Sequence, residues 1–309
     1  VHVHHFSGTY IDLLEQLGCD RRILFDARRV VSPAADAGVA ERLAVMDDSN
    51  VARQMLSMSA ATPYLENERD AVRAAQFIND EHAELRRKYP ARFGFFAALP
   101  MPHVDAALTE LRRAVDELHA DGVTFTTSVN ARSLADPAFE PVFVELNRRA
   151  AVVFIHPPGF ACESPLIAES RLTWPLGAPV EDAVCAMQLM QAGFPRRYPQ
   201  LKIILPHLGG MLPFLRYRLD RGGIRSVAGE ELPSVQMRKF WYDTANGEPR
   251  SLAHAVDAFG IDRIMFGSDY PYWTDDSYAQ AVHYLEMAGL PEHDVIAIQS
   301  GNARKLFAA

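Results

Sequence analysis

The sequence has little cysteine and none of it is arranged for cross-linking. Cys19, Cys162 and Cys185 are the three among 309 residues, and no CxxC pair occurs. A disulfide framework is excluded, and the expectation is a reducing, cytoplasmic compartment. An excess of positive charge is also missing: 31 Lys and Arg stand against 39 Asp and Glu, a formal net charge of -8. Such a chain has no global attraction for nucleic acid or anionic lipid, so neither is expected as a partner. No apolar run has the length or flanks of a signal or membrane span. No GxGxxG turn follows an early strand, which counts against a two-domain dinucleotide-binding arrangement. There is no interdomain linker or low-complexity run. The chain begins at Val1 rather than at a methionine, so the expectation is that something precedes it, and a leader stays open.

What is present is an alternation of strand and helix patterns. At 49% hydrophobic and 23% charged, the chain can bury a large single core. Strand patterns start near residues 1, 53, 93, 122, 151, 202, 239 and 262, with helical spacing between them, including an amphipathic helix over roughly 67 to 89 that ends at Pro90. AAVVFIHPP (150 to 158) is apolar almost throughout, as suits a strand buried on both faces. The stretch containing SPAAD reads as a loop, and 157 to 179 as a Pro- and Gly-rich connection. Eight parallel strands with helical crossovers predict an α/β fold, a distorted (β/α)8 TIM barrel with short additional helical segments, as a single domain over 1–309.

In such a barrel the carboxyl ends of the strands converge on one mouth. The polar residues ending the apolar runs are His2 and His4, His156, His207 and Asp269. His2 and His4, one residue apart, share a side of their strand, whereas His5 faces the other way and is expected to pack between barrel and helices. Each of the five has an ordinary structural explanation alone: surface, core histidine, turn or helix cap. Together at one mouth they make a mixed N/O donor set suited to Zn2+, Mn2+ or Fe2+.

Several of these motifs, HxH near the start, FIHP, LPHLGG, YDT and FGSDYP, resemble the amidohydrolase superfamily, specifically the branch containing aminocarboxymuconate-semialdehyde decarboxylase and the hydroxybenzoate decarboxylases. The resemblance runs from His2 to the GNARKLF tail. It implies one divalent ion, Zn2+ first and Mn2+ second, held by His2, His4, His156 and Asp269. It implies that His207 stands beside the substrate, outside the ligand shell, and that the chain forms a homodimer or homotetramer. The family's opening pattern places an acid two residues before the first histidine, immediately upstream of Val1. Arg42 resembles an arginine that binds substrate carboxylate in the semialdehyde decarboxylase.

A cation held by imidazoles and one carboxylate keeps net positive charge and attracts a carboxylate or phenolate. The expected activity is a metal-dependent, non-oxidative decarboxylation of a small aromatic or unsaturated acid, foremost an ortho-hydroxybenzoate, with His207 or Asp269 delivering the proton. The same groups could instead activate water for ester or lactone hydrolysis, or for hydration of an unsaturated acid; a non-catalytic small-acid binding protein is the reading from another class. Phe160 and Trp174 are candidates for an aromatic wall. Arg218 and Arg225 are candidates for the site or an interface. Tyr242 and Asp243 end a strand and could orient neighbours, although a strand cap or core contact is the expected role, and Asn246 is open to the same readings. His82, His103, His119, His254, His283 and His293 are expected to be structural or solvent-facing.

Overall fold

A computed structural model describes residues 1–31, 36–58, 60–160, 164–222 and 231–308. Arg225 and Cys162 lie outside the described residues.

Eight parallel strands form one sheet whose order follows the chain: β1 (Val3–His4), β2 (Gln54–Ser57), β3 (Phe93–Ala98), β4 (Gly122–Thr126), β5 (Val152–His156), β6 (Lys202–Leu205), β7 (Trp241–Asp243) and β8 (Ile264–Met265). A parallel bridge between Val3 and Tyr270 closes the seam. All eight expected strands are present, and the distorted barrel with extra short helices is the observed architecture. The last is shorter than IDRIMFGSDY implies. After Met265 the chain leaves regular pairing, and the amides of Ser268 and Asp269 both donate to the His2 carbonyl, at 3.1 and 2.9 Å. Two donors on one acceptor cannot continue a ladder, and the strand gives way to a turn.

Alternation along each strand sorts its side chains. Val152, Phe154, Phe96, Met55, Ile204 and Met265 fill the barrel interior. Val153, Ile155, Val123, Phe125 and Val3 pack outward against the helices. A satellite core under the N-terminal helices α1 (Gly8–Gln16) and α2 (Arg21–Arg29) gathers Phe6, Tyr10, Ile11, Leu14, Leu24 and Ile78. The connection from α2 to α3 (Asp36–Asp48) includes residues outside the description.

The amphipathic helix expected over 67 to 89 is α4 (Glu68–Lys88). The Asn67 side chain caps it by accepting from the Asp70 amide at 3.1 Å, with Glu68 and Asp70 in the first turn and Arg86, Arg87 and Lys88 in the last, the charge order that the helix dipole favours. α2 was not apparent from its sequence: five of the nine residues of RRILFDARR are charged and it buries only Leu24 and Ala27, so its short apolar stretch passes for part of a loop. The segment read as a plain connection after β5 contains a short helix, Pro165–Glu169, and a wide turn, Thr173–Gly177.

Candidate metal centre and its cavity

His2 and His4 flank Val3 on β1 and enter the barrel mouth, His156 ends β5, and His207 opens the LGG turn after β6. Asp269 follows the turn after β8. Both His207 and Asp269 have left-handed backbones, φ 53° and 59°, which non-glycine residues adopt at a cost that functional sites tolerate. The LGG turn leaves no room for a side chain: a Cβ on Gly210, at φ 59°, would lie 2.1 Å from the Pro179 carbonyl oxygen. Gly267 similarly lets β8 pass the His2 Cβ, which would stand 2.7 Å from any Cβ there.

One donor atom from each of His2, His156, His207 and Asp269 lies within 4.8 Å of every other. His4 joins them: its Nε2 is 3.1 Å from His2 Nε2 and 2.9 Å from Asp269 Oδ1, and its ring lies 4.7 Å from that of His156. The expected ligands and the additional histidine therefore meet at one point.

The outer nitrogens fix the tautomers. His2 Nδ1 donates to Asp243 Oδ2 at 3.0 Å. His156 Nδ1 donates to the Pro157 carbonyl at 2.8 Å. Ser57 Oγ donates to the Val3 carbonyl, so at 3.1 Å it accepts from His4 Nδ1. In the neutral rings each Nε2 is therefore a lone pair, and three of them converge with a carboxylate oxygen. Acceptors at such separations repel one another unless a cation lies between them, and these residues fit a divalent ion.

The electrostatics follow from burial and charge. Burial pulls His4 down to about 4 and His156 well below the ordinary histidine value. Burial opposes the charge on His2 too, but Asp243 and Asp269 outweigh it and hold His2 up at about 10. Burial would raise Asp269, yet His2 and His4 keep it well below the usual carboxylate range. Without a cation the His2 proton offsets the Asp269 carboxylate, and that proton competes with a cation for the same position.

His207 Nδ1 is 2.8 Å from Asp182 Oδ2, and its amide donates to Asp243 Oδ1 at 3.2 Å. Burial lowers the His207 value, but Asp182 raises it beyond the ordinary one. Asp182, on the Ala178–Gln191 helix, is fully buried and itself raised by that burial. Its Oδ1 has no hydrogen-bond partner among the described residues.

A cavity of about 820 Å3 opens over the cluster, within the size range of small-molecule sites. His156, His207, Asp269, Asn246, Arg29 and Trp174 are among its lining residues. Trp174 Nε1 donates to Asp26 Oδ2 at 2.9 Å, and its ring stacks on Tyr272 with centroids 6.4 Å apart.

The remaining expected substrate residues are placed differently. Arg42 is buried behind β1 and bonded to protein, outside the cavity lining. Phe160 packs under the Arg22 guanidinium, 4.8 Å away, and does not line the cavity. Arg218 is exposed on the Leu212–Arg221 helix, away from the lining. Asp182, Ser57, Arg29 and Tyr272 are the residues that sequence reasoning missed. His5 is buried 3.5 Å from Glu81, between barrel and α4, as expected. His82 is likewise buried, donating to the His5 carbonyl at 2.8 Å.

A family model described as Amidohydrolase matches residues 1–309. The chain is 34% identical over 280 residues to a 6-methylsalicylic acid decarboxylase of Penicillium expansum, covering 84% of this chain and 85% of that one. It is 30% identical over 288 residues to a gamma-resorcylate decarboxylase of a Rhizobium species, covering 86% of each. A crystal structure of a dihydroxybenzoic acid decarboxylase from a Polaromonas species, with bound manganese and the inhibitor 2-nitroresorcinol, superposes with a TM-score of 0.81 at 26% identity, covering 99% of this chain and 96% of that one.

Proposed function

This chain belongs to the amidohydrolase family, and from that premise we propose that it is a metal-dependent, non-oxidative decarboxylase of a small hydroxylated aromatic acid, foremost an ortho-hydroxybenzoate. The observation that carries the reading is the convergence of three imidazoles and a carboxylate, of which His156 and Asp269 reach the lining of a cavity that also carries the stacked pair Trp174 and Tyr272.

His2, His4, His156 and Asp269 would hold the ion, and when bound it supplies positive charge that binds and neutralises carboxylate and phenolate oxygens. Donors dominated by imidazole favour Zn2+ over Mn2+ in affinity. The manganese in the Polaromonas enzyme makes Mn2+ the competing assignment, and reconstitution of metal-stripped protein with each ion distinguishes them. Trp174, stacked on Tyr272, supplies aromatic surface to the lining for a planar ring, and Arg29 adds a cation.

His207 and Asp269 border the cavity and are the groups proposed to move the proton. Asp182 keeps His207 Nδ1 engaged, so Nε2 is the nitrogen that exchanges a proton with substrate. In the reaction a proton adds to the ring carbon bearing the carboxylate, interrupting aromaticity. The bond from that carbon to the carboxyl carbon then breaks, its electron pair returns to the ring, and carbon dioxide leaves.

The chain is proposed to act as one barrel domain and to assemble as a homodimer or homotetramer, supported by exposed Phe214 and Tyr217 beside Arg218 on one helix. No helix among the described residues is long and apolar enough to cross a membrane. A cytoplasmic location is proposed from the sequence, whose three cysteines lack CxxC spacing. Ester or lactone hydrolysis is the second reading, because the same groups can activate water. Turnover of 6-methylsalicylic acid and 2,6-dihydroxybenzoate with release of carbon dioxide tests the first reading; inactivity on both, with hydrolysis of a lactone, supports the second.

A further inference from the structure

Among the described residues, Arg42 lacks the carboxylate partner that a buried cation usually keeps. Its side chain is 2% exposed. Its contacts are neutral: Nη2 donates to the His4 carbonyl at 2.7 Å, Nη1 donates to Gln54 Oε1 on β2 at 2.9 Å, and the guanidinium lies 4.6 Å over the Tyr270 ring. Among the described residues no carboxylate lies at ion-pair distance from it, and burial pulls its pKa down to about 10, so it stays charged at neutral pH. A charge kept in the interior without a counter-ion costs more than an apolar side chain of the same volume would.

Two of these contacts, the His4 carbonyl and the Tyr270 ring, belong to the elements that meet at the barrel seam, and the third, Gln54, anchors the guanidinium to β2 on the far side of β1. β1 pairs regularly with β2 through Val3 with Leu56 and His4 with Ser57. On its other side the pairing is irregular: the Val3–Tyr270 bridge, with the His4 amide donating to the Tyr270 carbonyl at 2.7 Å, and the Ser268 and Asp269 amides sharing the His2 carbonyl. That weak edge carries two expected ligands, His4 on one side and Asp269, the residue before Tyr270, on the other. A one-residue slip would turn His4 away from the mouth.

We propose that Arg42 is a positioning residue of the metal centre, fixing His4 and the Asp269–Tyr270 turn in register across the seam. The planar guanidinium reaches a carbonyl, an amide and a ring face at once, which a lysine ammonium cannot do. Arg42 therefore acts through the ligands without touching substrate. The inference rests on the metal-centre reading and not on which reaction the centre performs.

Chelator competition on purified wild type, Arg42→Lys, Arg42→Met and Tyr270→Leu measures the dissociation constant for Mn2+ and Zn2+, with far-ultraviolet circular dichroism and thermal unfolding of each metal-free protein as the check on folding. Orienting groups of ligands are worth roughly 10- to 100-fold in metal affinity. Arg42→Met is expected to weaken binding by that factor while folded, and Arg42→Lys by about 10-fold. Tyr270→Leu, which leaves both hydrogen bonds, should weaken binding less than Arg42→Met. At saturating metal, kcat should recover in Arg42→Lys with KM unchanged, because the ion reimposes the register. Folded variants that melt earlier but bind metal with wild-type affinity would overturn the proposal. If Arg42→Met does not fold, unchanged affinity in both Arg42→Lys and Tyr270→Leu overturns it equally. Wild type that binds neither ion defeats the metal-centre reading instead, and wild type that binds metal but releases no carbon dioxide defeats only the decarboxylase reading.

Discussion

Each histidine at the mouth has its outer nitrogen engaged, by Asp243, Ser57, the Pro157 carbonyl or Asp182, and those four partners make side chains into a site. Asp269→Ala removes a proposed ligand and should abolish metal retention and turnover together, read by elemental analysis and kcat. His207→Ala should keep most of the metal and lose turnover. Equal turnover retained in both variants contradicts the assignment. Asp182→Asn replaces the acceptor with an amide that can present its NH2 to His207, so the tautomer is no longer fixed; kcat should fall by roughly 100-fold with metal content unchanged. The histidines and Asp269 were legible because each ends an apolar run. Asp182 was not, because in PVEDAVCAM an acidic pair looks like a solvated helix face, and only the tertiary packing of that helix over the mouth buries it. Arg42 was legible as significant but not in its role, since nothing in ERLAVMD shows which side of α3 faces β1.

The elements that carry these residues are short and depend on close backbone approach. Gly210→Ala would press a Cβ against the Pro179 carbonyl at a left-handed φ. It should cost about 2–4 kcal/mol in urea unfolding and lower turnover by displacing His207. A wild-type midpoint in that variant would contradict the account of the turn. At the β1–α4 interface, burial lowers the His82 pKa from 6.5 to about 4. The unfolded chain therefore binds more protons than the folded one between those values. This contribution is complete above the unfolded value and is lost as pH falls through the folded one. It amounts to about 2 kcal/mol between pH 7 and pH 5. His82→Gln should show that much less loss of stability over the interval; an identical pH dependence in both proteins would remove His82 as the cause. Strand positions were readable from apolar runs because both faces are buried. The α2 helix was not, because most of its nine residues are charged, and neither were Pro165–Glu169 and Thr173–Gly177, which are too short to show a period.

At the scale of the whole molecule, the chain brings residues near its two ends into one cluster, His2 and His4 against Asp269, by closing a sheet in sequence order. The order of strands follows from the alternation of patterns, and so the fold was readable before any contact was known. The cavity was not, since its wall combines α2, the Thr173–Gly177 turn and the segment after Asp269, which only the tertiary fold brings together. Metal should be lost as pH falls, because a proton on His2 displaces it. The measurement that bears most directly on the decarboxylase is turnover of an ortho-hydroxybenzoate by metal-loaded protein in 18O-labelled deuterated water, with product and headspace gas analysed by mass. The expected result is one carbon dioxide per product, one deuterium at the vacated ring carbon and no 18O in the aromatic product. A panel in which no hydroxybenzoate releases carbon dioxide, while a lactone or ester opens with 18O incorporated in the acid, would contradict it.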